Sequence, residues 1–247
     1  MGHPVSLSDV VAYVDLLLGI SPQDDREGNG IAYAAGDTVA KLGAAVNTSF
    51  EAIERAAELG VDLLLVHHTS WQEIDFELRE RKLALLAERG VSLYAAHESL
   101  DRAPSIGPAD ALARLLGLTV ESRALGGHAV VGAFADRSLS ALAARTEKAL
   151  RTRVRAFRNS ESFERGAIAP GGAGHTSYLR ETRELGCDTY VTGEGSMFTE
   201  LYAREVGMNL VLAGHYQTEL PGIQALAQRL AERFNLEWVT VPEPWDS

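Results

Sequence analysis

The chain has 247 residues, 46% of them hydrophobic and 23% charged, a balance that suits a globular fold with a sizeable core and gives no sign of disorder. A formal charge of −11 disfavours general nucleic-acid binding, which needs a local excess of cations. No apolar run approaches the roughly 20 residues of a membrane helix, no basic start leads into an apolar signal core, and Cys187 is the single cysteine, so a cytoplasmic protein without membrane segments or internal disulfides is expected.

Taken in order, Met1–Gly2 opens a short myristoylation-like pattern too frequent to carry weight. Val10, Val11, Val14, Leu17 and Leu18 recur at helical spacing and predict a helix over Ser8–Leu18, with Ser8 or Asp9 as cap. Residues 21–31 are polar and rich in turn formers and read as a surface loop. A strand over Val39–Val46 and a helix over Ser49–Leu59, stopped by Gly60, follow. Val61–His68 is an apolar run ending in His67–His68, the pattern of a strand buried on both faces. A charged helix over Asp75–Arg89 turns Phe76, Leu83 and Leu86 inward. Strand Val91–Ala96 then leads to His97 and Asp101, and Pro108–Leu116 forms another helix.

The second half is predicted as strand Val130–Phe134, helix Ser138–Leu150, and strands near Val154–Phe157 and Ala167–Ala169. Helix Thr176–Leu185, strand Asp188–Thr192, helix Met197–Val206, strand Asn209–Ala213 and helix Gly222–Phe234 complete it. Glu58–Leu59–Gly60–Val61–Asp62 aligns with Glu184–Leu185–Gly186–Cys187–Asp188, so His67–His68 falls opposite Gly193–Glu194. His97-x₃-Asp101 likewise falls opposite His215-x₃-Glu219. The fold class is therefore α/β with a duplicated unit, residues 1–125 and 126–247, whose mixed, mostly parallel sheets are covered by helices. Equivalent strand ends are expected to meet where the copies pack together.

Four apolar strands thus deliver ligand-type side chains to their carboxyl ends. Adjacent residues of a strand point to opposite sides, so His67 and His68 suit two cations better than one. Asp101 and Glu219 each offer two oxygens, which lets a pair of cations sit roughly 3.5–4 Å apart, and His215 adds an imidazole. His215 and Glu219 share a face if their segment turns helical ahead of Pro221–Gly222. The candidate ligands are His67, His68, Asp101, His215 and Glu219. His97 and Glu194 are read as supporting or proton-transfer groups, while His3, His128 and His175 read as rim histidines. Two divalent cations against two carboxylates leave a positive site that welcomes a small anion and favours metal-assisted hydrolysis. The donor set admits Zn, Fe, Mn, Co or Ni. Ala169–Gly174 matches no phosphate-loop pattern and reads as a tight turn. Trp71 and Tyr216 flank the candidates and read as pocket wall.

At these residues the chain resembles the Nif-three-like family of dinuclear-metal hexamers, whose members are often labelled GTP cyclohydrolase I type two homologues. The matching segments are Glu27–Ile31, Val61–His68, Tyr94–Asp101, Asp188–Glu194 and Ala213–Gly222. The resemblance implies two intertwined repeats, a ring-shaped homohexamer, and two metal ions per subunit on His67, His68, Asp101, His215 and Glu219. The chain departs from the family pattern at Thr69–Ser70–Trp71–Gln72, at Phe198 in place of a frequent histidine, and at Asn47 in place of a frequent aspartate. Three functions follow: a dinuclear hydrolase of a phosphorylated or nucleotide-like molecule, a metal-trafficking, storage or adaptor protein, and a ring that binds single-stranded nucleic acid through Arg151, Arg153, Arg155 and Arg158.

Overall fold

The computed structural model describes residues 3–20, 28–69, 77–136 and 138–245. Outside the described residues lie Met1–Gly2, residues 21–27, Ser70–Trp71–Gln72, and Asp75 and Phe76 of the expected charged helix. The chain divides into two compact units, Met1–Ala103 with Ile223–Pro244, and Pro104–Gly222 with Trp245–Ser247. This division differs from a cut near residue 125, because the C-terminal segment returns to the first unit.

In the first unit, β1 (Val5–Ser6) leads into α1 (Leu7–Leu18), and β2 (Asn29–Tyr33) and β3 (Thr38–Val39) precede β4 (Lys41–Asn47). Then come α2 (Phe50–Glu58), β5 (Leu63–His68), α3 (Arg79–Arg89), β6 (Ser92–Ala96) and the single turn α4 (Glu98–Asp101). The second unit holds α5 (Pro108–Leu116), β7 (Leu118–Ala124), β8 (Ala129–Phe134), α6 (Leu139–Leu150), β9 (Arg155–Phe157), β10 (Gly166–Ala169), α7 (Thr176–Glu184), β11 (Thr189–Thr192), α8 (Met197–Glu205) and β12 (Asn209–Leu212). Helix α9 (His215–Phe234) begins there, and its later turns with β13 (Glu237–Thr240) belong to the first unit.

The first unit is built on a sheet ordered β13-β4-β5-β6-β2. Three of its pairings are parallel and only β6 with β2 is antiparallel. Leu63 through Val66 are fully buried, as a strand covered on both faces requires. One side packs Ala52, Ile53 and Ala56 of α2 and Leu86 of α3 against Leu64, Val66, Leu93 and Ala95. Gly43 of β4 is needed where Val61 and Val241 press in, since an added Cβ would lie 3.0 Å from each. Ser49 caps α2 by accepting from the Ala52 amide at 2.9 Å. The cap of α1 is Ser6 rather than Ser8 or Asp9, and its side chain makes no capping hydrogen bond.

The second unit has a sheet ordered β7-β8-β10-β11-β12-β9, parallel only at β10/β11 and β11/β12. One face packs Leu179, Cys187, Tyr190 and Ala203; the other packs Leu112, Leu116 and Leu142 on Val130, Ile168, Val191 and Val211. Three strands of these two sheets were not foreseen: β2, β7 and β13. All are sheet edges. Most of β7 is exposed, and β13 is exposed or half-buried throughout, so neither shows the apolar run of a central strand. β2 begins within residues 21–31, which were expected to be a surface loop, yet Asn29 and Gly30 lie in the ladder beside Ala96 and Ala95. Among the described residues no helix is long and apolar enough to cross a membrane.

Candidate metal centre

In the first unit β5 carries its histidine doublet at the carboxyl end of the sheet. His67 is fully buried, and its Nδ1 lies 2.8 Å from the Ala96 carbonyl of neighbouring β6. A carbonyl oxygen only accepts, so Nδ1 donates and Nε2 holds the lone pair. That Nε2 lies 3.4 Å from Oδ1 of Asp101, bringing two electron-rich atoms face to face. A cation between them, metal or proton, satisfies the arrangement. His68 is half-buried and places Nδ1 3.1 Å from Oδ1 of Asn47, on the opposite neighbour β4.

The rings of His67 and His68 are 4.7 Å apart. The two rings therefore lie close together at the end of β5, of which His68 is the last residue. His97 joins them, with ring centroids 5.0 Å from His67 and 5.1 Å from His68. One ligand atom from each of His67, His68 and His97 lies within 4.8 Å of the others. His97 was expected as a supporting or proton-transfer group, and the structure puts it in one cluster with the doublet. Asn29 holds this corner. Its Oδ1 accepts from the His97 amide at 3.1 Å and from the Ser99 hydroxyl at 2.5 Å, which starts the turn α4 and aims Asp101 back at His67.

In the second unit the site is built on the first turns of α9. The helix was expected to start at Pro221–Gly222 but begins at His215, with Pro221 inside it. Proline there removes one hydrogen bond to the carbonyl four residues earlier, yet the preceding turns stay helical. His215 and Glu219 consequently stand one turn apart, with Nε2 3.1 Å from Oε1. On the other side, His215 Nδ1 lies 3.2 Å from Oε2 of Glu194, just after β11. Hydrogen bonding to Glu219 outweighs partial burial and, with help from Glu194, pushes the His215 pKa up to about 9.

Gly171 explains the glycine-rich turn after β10. It has φ +68°, and an added Cβ would run into the Glu219 carboxylate, while its N–H donates to Thr218 Oγ1 at 2.9 Å. The turn is thus a backbone wall laid against two ligand candidates. Beyond it lies a cleft of ≈ 660 Å³ lined by Arg153, Arg155, Gly172, His175, Glu194, Ser196 and Gly214. Arg155 pairs with Glu200 at 2.6 Å and Arg158 with Glu161 at 3.2 Å; Arg153 carries no ion pair among the described residues. Tyr216 is buried, 5.9 Å from the Trp245 ring, so it supports the wall. Trp71 lies outside the described residues.

The donor chemistry fits a divalent metal ion: imidazoles with Nδ1 already committed and carboxylates facing Nε2 atoms. Asn47 and Gly171 had no visible signal as site residues beyond a departure from pattern and a turn, since their roles depend on what packs beside them.

The model of the Duf34/NIF3 (NGG1p interacting factor 3) family matches residues 5–244. A relative from Halobacterium salinarum named GTP cyclohydrolase 1 type 2 homolog is 32% identical, covering 97% of this chain and 99% of the relative. One of the same name from Allochromatium vinosum is 33% identical over 92% of both. Among solved structures, TTHA1606 from Thermus thermophilus superposes with TM-score 0.83 at 31% identity, covering 97% of this chain and 99% of that one.

Proposed function

This chain belongs to the Duf34/NIF3 family, and from that premise we propose that it is a divalent-metal-dependent hydrolase of a small phosphorylated or nucleotide-like molecule. The observation that carries the reading is the donor set: imidazoles with Asp101 at the strand ends of the first unit, and His215 with Glu219 and Glu194 at the start of α9 in the second. We assign His67, His68, Asp101, His215 and Glu219 as the residues that would hold two divalent cations. When bound, divalent cations acidify a water and polarise a phosphoryl or carbonyl oxygen. The names of the relatives, GTP cyclohydrolase 1 type 2 homolog, agree with a nucleotide-like substrate.

The chain's own residues have distinct tasks in this reading. Arg153 and Arg155, on the wall of the second unit's cleft, hold the anionic part of the substrate. Glu194 is exposed along its side chain and adjoins both the cleft and His215, so its carboxylate takes up and returns a proton at the leaving or attacking oxygen. His97 supports the doublet and stands ready as a further imidazole. The active form in this reading is a cytoplasmic homohexamer. Helix α8 supports an interface, since Met197, Phe198 and Leu201 are 70%, 64% and 49% exposed.

The test loads purified protein with Zn, Mn or Fe and assays phosphoesters and nucleoside triphosphates. Turnover that falls to background in His68→Ala, with KM raised in Arg153→Ala, is the expected result. Tightly held but exchangeable metal with no turnover on any substrate would instead make this a metal-holding protein.

A further inference from the structure

The imidazole of His68 is held by an amide, and an amide has two nearly isosteric orientations with opposite consequences. With Oδ1 toward the ring, Nδ1 must be the protonated nitrogen and Nε2 keeps its lone pair. With Nδ2 toward the ring, Nδ1 must accept, the proton moves to Nε2, and that nitrogen is closed to a cation. What decides is the group on the far side of Asn47.

That group is Glu243. It follows β13, which runs parallel beside β4, and so reaches the same end of the sheet as Asn47. Its Oε2 accepts the Val46 amide at 2.6 Å and its Oε1 accepts the Asn47 amide at 3.2 Å. Oε1 also accepts the Asn47 side-chain Nδ2 at 3.0 Å. The carboxylate is only 5% exposed. Three donors converge on it, so it acts as an acceptor, and the NH₂ end of Asn47 is committed to it. Oδ1 is thereby turned to His68, at 3.1 Å from Nδ1.

We propose that Glu243 is a positioning residue that sets the tautomer of His68 through Asn47, leaving Nε2 able to take a divalent cation. The relay lies wholly within the first unit. Its value for metal binding rests on the reading of His68 as a ligand; the tautomer itself does not. His67 reaches the same state by a simpler route, since the Ala96 carbonyl has no alternative orientation. An asparagine at position 47 needs a dedicated acceptor on its far side, whereas an aspartate there would need a donor.

The experiment uses the metal-free full chain with ¹⁵N-labelled histidine and long-range ¹H–¹⁵N spectra at a pH where His68 is neutral, followed by Zn titration of each variant. The parent chain is expected to show His68 protonated on Nδ1. In Glu243→Gln, the new amide keeps an oxygen for Val46 and turns its NH₂ toward Asn47. Asn47 then flips, the His68 proton moves to Nε2, and Zn affinity falls about 10- to 100-fold. Adding Asn47→Asp to that variant gives an acceptor for both His68 Nδ1 and the introduced amide, and restores the Nδ1 proton with most of the affinity. Asn47→Ala leaves Glu243 on the main chain and cuts the relay alone, so it should give mixed tautomers even if Glu243→Gln fails to fold.

A His68 that keeps its proton on Nδ1 in Glu243→Gln, or in Asn47→Ala, overturns the proposal. So does a folded double variant that does not recover the tautomer. Tautomers that move as expected while Zn affinity stays constant would uphold the relay and remove His68 from the ligands.

Discussion

The two units hold their ligand candidates in opposite ways. In the first, the Nδ1 atoms of His67 and His68 are engaged by the oxygens of Ala96 and Asn47, so the rings are oriented by groups that carry no net charge. In the second, both nitrogens of His215 face carboxylates, which raises its basicity and lets it hold a proton at neutral pH. A cation bound at His215 would therefore displace a proton. In the second unit the charged acceptors orient the ring and also favour a proton on it.

The sharpest way to break this contrast is to remove a preset imidazole. His68→Ala should lower metal affinity by more than about 100-fold, beyond the loss seen when only an outer partner of a ligand is changed, as measured by metal content after dialysis. Retained stoichiometry and affinity would mean that the first unit does not bind through its doublet. In the second unit the wall can be attacked instead. Gly171→Ala combines a positive φ with overlap on Glu219, and should destabilise by about 2–4 kcal/mol in denaturant unfolding.

The stored proton gives a smaller, pH-dependent effect. In the metal-free protein the folded His215 pKa of about 9 lies above its ordinary 6.5. The stabilisation is therefore fully present below pH 6.5 and is lost as pH rises through 9. His215→Asn should be less stable than the parent at about pH 6 and match it near pH 10, with the difference moderated by solvent around a ring that is 35% exposed. Equal stability at both values would remove the distinction between the units. The smallest effect is chemical: burial pushes the Cys187 thiol up to about 11, so a disulfide reagent at about pH 8 should react slowly with the native chain and at once after denaturation. Rapid labelling of the folded protein would show that this part of the second core opens readily.

Most central strands and the helices that cover them were legible in the residues, because burial on two faces demands continuous apolar runs and amphipathic helices carry their period openly. Ser49 and Gly60 bracket α2 as the residues suggest, one as its cap and the other in the left-handed conformation just past its end. Edge strands such as Leu118–Ala124 were not, since a strand facing water has no apolar pattern to show. The early start of α9 was hidden by Pro221 and Gly222, which suggest a beginning when they actually lie inside the helix.

By itself the sequence determined the α/β class, the family resemblance and the identity of His67, His68, Asp101, His215 and Glu219 as candidates, because strand ends and His-x₃-acid spacing are local properties of the chain. Only the tertiary structure decided that His97 stands with the doublet, that Gly171 backs Glu219, and that Glu243 grips Asn47 from 196 residues away. Ring orientation, tautomer and proton affinity depend on which oxygen lies about three ångströms from which nitrogen, and that is settled by neighbouring strands and not by neighbours in sequence.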